Sequence, residues 1–202
     1  MSSTPSKRSG RRRGTTQTRD AIARAAQSQF AELGYDRATF RGIARAAGVD
    51  PALVVHFFGS KEELFREVMK LPPVVADALA ALADGPRELI GRRLAEVFVG
   101  ALEHPATRAI MIGRIRSASQ HPDAAALVRE TVARDMGRLT SAMDADRPET
   151  RAVLIGSHIV GVTLTRHVVL VEPIASMPPA ELVDLLAPTF HHFLTGPLSA
   201  DA

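Results

Sequence analysis

The sequence of 202 residues has no cysteine, no tryptophan and a single tyrosine. Without cysteine it has no disulfide scaffold, no thiolate metal ligand and no cysteine nucleophile. No apolar run reaches the roughly 18 residues that span a bilayer, because the most apolar stretch, residues 152–171, is interrupted by His158, Arg166 and His167. The basic N-terminus lacks the apolar segment of a secretory signal. These absences predict a cytoplasmic protein that does not enter a membrane.

Catalytic and metal-binding patterns are also missing. The sequence contains no Ser-His-acid spacing, no glycine-rich phosphate loop and no HExxH motif. His191 and His192 are adjacent on a predicted helix, so their rings diverge by about 100° and cannot hold one metal ion. His158 and His167 also face different ways. We therefore expect a protein that is not an enzyme and has neither metal nor cofactor.

What the sequence does contain is a large apolar fraction and an uneven charge. Hydrophobic residues make up 46% of the chain, enough to bury a core in one domain or in two small ones. Residues 1–70 carry 13 Lys and Arg against 7 Asp and Glu, whereas residues 71–202 carry 12 against 15. A basic segment beside an acidic remainder is typical of a nucleic-acid-binding module attached to another domain. A solvated basic tail without a partner would give the same asymmetry.

The first 14 residues have no apolar anchor, and their composition predicts a disordered basic arm over 1–14. Such an arm is suited either to a DNA minor groove or to a non-specific gain in affinity. Its cationic side chains are Lys7, Arg8, Arg11, Arg12 and Arg13.

Helical periodicity begins near residue 15. Apolar residues at i, i+4, i+8 and i+11 predict one buried stripe, and Gly34 ends that helix. Thr39 caps a second helix, which stops at Gly48. The residues expected in the core of this region are Ile22, Phe30, Leu33, Tyr35, Ile43, Val54, Phe58 and Leu64.

Asp50 and Pro51 are a strong start signal for a third helix, because a capping side chain precedes a proline whose missing N–H costs nothing there. This helix reaches only to about Phe58, before Gly59. Residues 60–63, Ser-Lys-Glu-Glu, form a capping box that opens a fourth helix.

The rest of the chain predicts helices without a sheet. The segment 152–171 is rich in β-branched residues, but about twenty residues without a turn signal favour a buried helix over a strand. The predicted segments lie near 74–83, 86–103, 105–119, 123–143, 148–171 and 179–195.

The junction Ala47-Gly48-Val49-Asp50 joins two short helices in the pattern of a helix-turn-helix. Such a motif holds one short helix away from the body, where it fits the major groove of DNA. A generic helix pair with a glycine turn is the alternative interpretation. The basic flank, the short third helix and Lys61 at the start of the fourth favour DNA binding.

Three local patterns are more specific: Phe30-x-x-x-Gly34-Tyr35, Ile-Ala-x-x-Ala-Gly-Val at 43–49 and Phe-Gly-Ser-Lys-Glu at 58–62. With them, residues 18–65 resemble the DNA-binding domain of the tetracycline-repressor (TetR) family of bacterial transcriptional regulators. The resemblance implies an all-α fold, with an N-terminal three-helix helix-turn-helix domain over 15–62 and a helical ligand-binding and dimerisation domain over 63–202. It implies a homodimeric, ligand-responsive regulator, expected to be a repressor, that binds a palindromic DNA operator.

The resemblance also implies which residues contact DNA. His56 is expected to reach a base or phosphate, and Lys61 to bind phosphate at a helix N-terminus. Val55 and Phe57 depart from the tyrosine common in the family, so they are left with apolar contacts such as a thymine methyl. A solvated helix face or, for His56, a packing role is the alternative. The full set is Thr39, Arg41, Arg45, Pro51, Ala52, Val55, His56, Phe57 and Lys61.

By the same resemblance, a pocket for an unknown small-molecule effector lies among the middle helices, with plain hydrophobic core as the alternative. Its expected lining is Phe98, Leu102, Met111, Arg114, Ile115, Met136, Met143 and His158, with Arg114, Arg116 or His158 as polar anchors. Helices near 148–171 and 179–195 are expected to pair with a second copy of the chain in a four-helix bundle. The second functional hypothesis is a helical small-molecule-binding or interaction protein whose DNA binding is weak or lost.

Overall fold

The computed structural model describes residues 9–144 and 146–198, and this part of the chain is all-α, with ten α-helices and no strand. The predicted fold class is thus confirmed. None of the described helices is long and apolar enough to cross a membrane. Two short 3-10 turns, Ala81–Asp84 and Arg87–Leu89, lie between residues 80 and 90. The helices are α1 (Ser9–Arg37), α2 (Phe40–Ala47), α3 (Pro51–Phe58), α4 (Lys61–Val68), α5 (Pro73–Ala80), α6 (Ile90–Glu103), α7 (Pro105–Gln120), α8 (Pro122–Ala142), α9 (Pro148–His167) and α10 (Pro179–Thr195).

The three predicted caps of the N-terminal helices are present. Thr39 Oγ1 accepts from the backbone N–H of Gly42 at 3.1 Å, and Asp50 Oδ1 accepts from that of Ala52 at 2.7 Å. Ser60 and Glu63 form the reciprocal capping box, at 3.1 and 2.8 Å. Each cap satisfies backbone donors that a helix start leaves unpaired, so α2, α3 and α4 begin where local chemistry places them.

The first helix differs from the expectation at its start, and Gly34, its predicted end, is an interruption within it. It begins at Ser9, so residues 9–14, predicted as part of the disordered arm, are helical, while residues 1–8 lie outside the described residues. Arginine is a good helix former, and extending an existing helix fixes one residue for each new hydrogen bond. Gly34 interrupts α1 with φ 78° and ψ 178°, a conformation that glycine adopts without steric cost.

The ninth helix is shorter than predicted. It ends at His167 rather than at residue 171, and Leu170 adopts a positive φ of 59°. Consecutive valines favour helix weakly, and Pro173 disfavours the helical region in the residue before it. The guanidinium of Arg166 closes the following loop, donating to the carbonyls of Ile174 at 2.7 Å and Met177 at 2.8 Å.

Two hydrophobic cores organise the helices. The N-terminal core holds the buried faces of α1–α4 and also takes Ile110 from α7 and Leu127 from α8, so the helix-turn-helix rests on the rest of the chain. The second core joins α6, α8, α9 and α10. Of the residues predicted in the N-terminal core, Leu33 is only partly buried. The predicted domain border after residue 62 falls inside α4 and stays a prediction.

Candidate nucleic-acid interface and neighbouring cavity

The third helix has one buried and one exposed face. Val54 and Phe58 are buried among the N-terminal core, whereas Val55 is 51% exposed and His56 is exposed. Phe57 is partly buried, packs against that core and meets the His56 ring edge-on at 5.2 Å between centroids. The exposed side chains of α3, which include Pro51 and Ala52, therefore form a surface available to a major groove, with Phe57 at its margin.

The second helix adds two cations beside that surface. Arg41 and Arg45 are both exposed and, four residues apart, lie on the same face of α2. Within the described residues, no hydrogen bond or ion pair is recorded for either guanidinium. Thr39 is also exposed, and its hydroxyl oxygen accepts the hydrogen bond that caps α2. Unpaired arginines next to a helix-turn-helix are suited to phosphate contacts.

Lys61 has partners inside the protein. Its Nζ donates to the carbonyl of Asp36 at 3.2 Å and lies 4.6 Å from the centre of the Tyr35 ring. Burial lowers the pKa of Lys61, with the charge of Asp36 opposing the shift. An ammonium group has three donors, so a phosphate contact remains compatible with this geometry, but Lys61 also ties α4 to the end of α1.

A cavity of about 120 Å³ lies among α5 to α9, and five of the predicted effector-binding residues border it. Phe98, Met111, Arg114, Ile115 and Met136 line the cavity, whereas Leu102, Met143, His158 and Arg116 do not. The full lining is Leu71, Val75, Leu79, Leu94, Val97, Phe98, Ala101, Met111, Arg114, Ile115, Val128, Thr131, Val132, Asp135, Met136, Gly156, Ile159 and Val160.

The predicted residues outside the cavity have packing roles. Leu102 and Met143 are buried in the second core. His158 Nδ1 lies 3.1 Å from the Leu154 carbonyl, and its ring meets Phe193 edge-on at 4.9 Å, which joins α9 to α10. Arg116 donates to the carbonyls of Ala31 and Glu32 in α1.

Sequence reasoning missed the contribution of α8. Val128, Thr131, Val132 and Asp135 follow the spacing i, i+3, i+4 and i+7, which marks one helix face. The signal was therefore present, but only the packing of α8 against α7 and α9 decides that this face borders a cavity. Thr131 and Asp135, the polar members of this face, are not among the polar anchors that the sequence predicted.

Arg114 is the central polar group of the cavity. Its Nε donates to the Met69 carbonyl at 2.6 Å, and Met69 is the C-cap residue of α4. Burial lowers the pKa of Arg114 to about 10, while the negative charge of Asp135 opposes the shift. Asp135 itself pairs with Arg134 at 2.9 Å. The cavity is thus mostly apolar, and the one guanidinium in its described lining, that of Arg114, is hydrogen-bonded to the C-cap residue of α4.

Apolar side chains are exposed on α9 and α10. Val153 and Val160 lie seven residues apart on one face of α9, and Leu185 on α10 is 59% exposed. Ser157 and Gly161 on α9 are also exposed, and small residues let helices approach closely. Among the described residues no group of three His, Asp or Glu side chains could hold a metal ion.

Both parts of the chain match known families. Residues 22–68 match the family model "Bacterial regulatory proteins, tetR family", and residues 88–194 match "Tetracyclin repressor-like, C-terminal domain". The HTH-type transcriptional regulator BetI of Agrobacterium fabrum is 43% identical over 74 residues, which cover 35% of this chain and 36% of that protein. The HTH-type transcriptional repressor AcnR of Corynebacterium glutamicum is 34% identical over 90 residues, covering 45% and 43% respectively. The chain thus spans less than half the length of these curated relatives.

Solved structures extend the likeness to nearly the whole chain. A TetR-family regulator from Streptomyces coelicolor is 31% identical with a TM-score of 0.64, covering 92% of this chain and 98% of that one. NalD, the secondary repressor of the MexAB-OprM multidrug efflux pump in Pseudomonas aeruginosa, has a TM-score of 0.68 at 22% identity, covering 91% and 98%, and shows the fold alone. The family matches to both parts of the chain, together with the Streptomyces relative, show that this protein belongs to the TetR family of transcriptional regulators.

Proposed function

We propose that the chain is a homodimeric, ligand-responsive repressor that binds a palindromic operator through α2 and α3 in the cytoplasm. The observation that carries this proposal is the division of the helix-turn-helix into a buried face, with Val54 and Phe58, and an exposed face with Arg41, Arg45 and His56. The exposed face combines cations for phosphates with a side chain able to reach a base edge. The similarity to AcnR, which is named a repressor, supports repression.

A homodimer follows from the geometry of DNA. Two identical recognition helices read a palindrome when they lie about 34–36 Å apart, one helical turn of DNA. The exposed apolar side chains of Val153, Val160 and Leu185 give α9 and α10 a surface that a second copy of the chain covers. The small residues Ser157 and Gly161 on the same helix support close packing there.

Response to a ligand is supported by the connection between the cavity and α4. Arg114 borders the cavity and donates to Met69 at the end of α4, and Leu71 borders it from the segment that follows. A ligand that binds one arrangement of α4 and α7 more tightly than another shifts the spacing of the recognition helices. By linkage, operator DNA then changes the affinity for that ligand by the same factor.

Operator binding is tested by selecting the full chain against random duplexes and measuring the affinity for the enriched sequence as a function of salt. Arg41→Ala and Arg45→Ala should each weaken binding and lower the salt slope by about 1.8 per dimer, since each phosphate contact contributes about 0.9. Arg129→Ala removes the same charge from an exposed position on α8 and should change neither quantity. If no duplex is enriched at low salt, operator binding is refuted, and if Arg41→Ala and Arg45→Ala behave as Arg129→Ala does, the assigned contacts are refuted.

The second candidate is a helical small-molecule-binding or interaction protein with weak or lost DNA binding. It is favoured by Val55 and Phe57, which offer no hydroxyl for a phosphate, with Val55 51% exposed. This candidate predicts that the purified chain dimerises and binds small molecules while the duplex selection enriches no sequence.

A further inference from the structure

The cavity lining includes one cation and one anion, which differ in their ion-pair partners. Among the described residues, Arg114 and Asp135 are the ionisable ones that line the cavity, and the Asp135 carboxylate is paired with Arg134 at 2.9 Å. Among the described residues no ion pair is recorded for Arg114, whose hydrogen-bond partner is the neutral carbonyl of Met69. The Asp135 carboxylate thus forms its direct ion pair with Arg134 and acts on Arg114 only through its charge.

Burying a guanidinium away from water is unfavourable unless an anion compensates. Burial accordingly lowers the pKa of Arg114 to about 10, which still leaves the group charged at neutral pH. A carboxylate would supply the missing charge, and the planar fork of the guanidinium matches its two oxygens. Because Nε is already used by Met69, the two Nη groups are the donors available to a ligand.

The remaining lining determines the rest of the ligand. Except for Thr131, the other side chains are aliphatic, methionine or phenylalanine, and Thr131 Oγ1 donates to the Leu127 carbonyl at 2.9 Å. A volume of about 120 Å³ is close to that of an engineered apolar cavity of about 150 Å³ that takes up benzene. The cavity thus has room for an apolar group of about six carbon atoms, which its aliphatic walls would desolvate.

A second hollow adjoins the charged end of the cavity. This hollow, of about 100 Å³, shares Arg114, Val128 and Thr131 with the cavity. Its other lining residues are Phe65, Arg66, Met69, Lys70, Leu127, Glu130 and Arg134. Three of its four cations are paired with carboxylates: Arg66 with Glu62, Lys70 with Glu67 and Arg134 with Asp135. Arg114 is the one for which the described residues supply no ion pair, so an anionic group of a ligand is best placed at Arg114.

We propose that the effector is a small apolar carboxylate of about six carbons, with its chain in the cavity and its carboxylate on the Arg114 guanidinium. The proposal rests on the ligand response proposed above and adds the chemical class of the ligand. An amine held by Asp135 is the opposing chemistry, and it is disfavoured because Asp135 already pairs with Arg134. A carboxylate on the two Nη groups would bind the same guanidinium whose Nε holds the Met69 carbonyl, which gives the ligand a route to α4.

The test is calorimetric titration of the full-length protein, without DNA, with hexanoate, hexanamide and hexylamine at neutral pH. These probes share a chain and differ in charge. We expect hexanoate to bind at least tenfold more tightly than hexanamide, and hexylamine more weakly than either. Arg114→Gln should abolish the preference for hexanoate, and Arg114→Lys should retain part of it.

Two further variants separate ligand recognition from stability. Arg116→Gln removes an arginine two residues further along α7 that also donates to backbone carbonyls, but outside the cavity, so the preference should persist. Ala101→Leu fills the cavity and keeps the bond from Arg114 to Met69, and it should weaken hexanoate binding at least tenfold. If Arg114→Gln does not fold, Arg114→Lys and Ala101→Leu still give this comparison.

Several results would overturn the proposal. They are equal affinities for hexanoate and hexanamide, a preference for hexylamine, a hexanoate preference that survives in Arg114→Gln, and failure of butanoate, hexanoate and octanoate alike to bind. Since the titrations contain no DNA, failure of operator binding leaves this readout intact, and the two proposals fail separately.

Discussion

Gly91 in α6 lies directly against the backbone of α10. A Cβ at this position would overlap the carbonyl oxygen of Ala187 and the backbone nitrogen of His191, and would lie 2.5 Å from His191 Cβ. Favourable contacts between heavy atoms are about 3.5–4.0 Å, so Gly91→Ala must increase the separation between α6 and α10 by about 1 Å. The obstructing atoms belong to the helix backbone, which cannot rotate away as a flexible side chain does.

The expected loss of stability can be worked from two opposing effects. Overpacking of a core costs about 1–3 kcal/mol, and a rigid backbone contact belongs at the upper end. Replacing glycine by alanine within a helix returns about 1 kcal/mol. The net change in the free energy of unfolding is therefore a loss of about 2 kcal/mol, which lowers the Tm of a chain of this length by about 4–8 °C.

Thermal unfolding followed by far-ultraviolet circular dichroism measures this change, at one fixed protomer concentration because a dimer's Tm depends on it. Gly100→Ala is the control in the same helix, since a Cβ there meets nothing within 4 Å. Without a clash it should raise the Tm by about 2–4 °C through helix propensity alone. The packing argument is refuted if Gly91→Ala is as stable as the unchanged protein while Gly100→Ala gives the expected increase.

Three further predictions concern the dimer, acid stability and Lys61. Leu185→Glu places a charge on the proposed dimer face and should yield monomers in light scattering after size exclusion, whereas Val74→Glu, at the 74% exposed position on α5, should not. The hydrogen bond from Arg151 lowers the pKa of Asp146, so its contribution to stability is present above the ordinary aspartate value of 3.8 and is lost as the pH falls through the lower folded-state pKa. Asp146→Asn should therefore make the Tm less dependent on pH below about 4 in scanning calorimetry. Lys61→Met should lower the free energy of unfolding measured in urea by about 0.5–1 kcal/mol, because it loses a cation–π contact, and an unchanged value would contradict this role.

The sequence predicts best those features that depend on neighbouring residues. Thr39, Asp50 and Ser60 start their helices because each side chain bonds an amide within three residues, which needs no knowledge of the fold. The predicted end of α9 was wrong because Arg166 donates hydrogen bonds to carbonyls up to 11 residues away. These contacts support a turn where apolar periodicity predicts helix. Leu102 shows the same limit of sequence prediction. Helical spacing indicates that its side chain faces inward, but not whether it lies in the packed core or borders the cavity.

The two arginines of α7 show what the structure adds about function. Arg114 and Arg116 were both named as possible polar anchors from the sequence, yet residues two apart on a helix differ by about 200° in direction. Arg116 donates to α1, and Arg114 donates to the end of α4 while bordering the cavity. We therefore expect a ligand at Arg114 to act first on α4, whose initial residue, Lys61, follows α3 after only two residues. Hence we expect the binding of an effector to change the DNA-binding surface through α4, while the contact between α7 and α1 keeps the two parts of the chain joined.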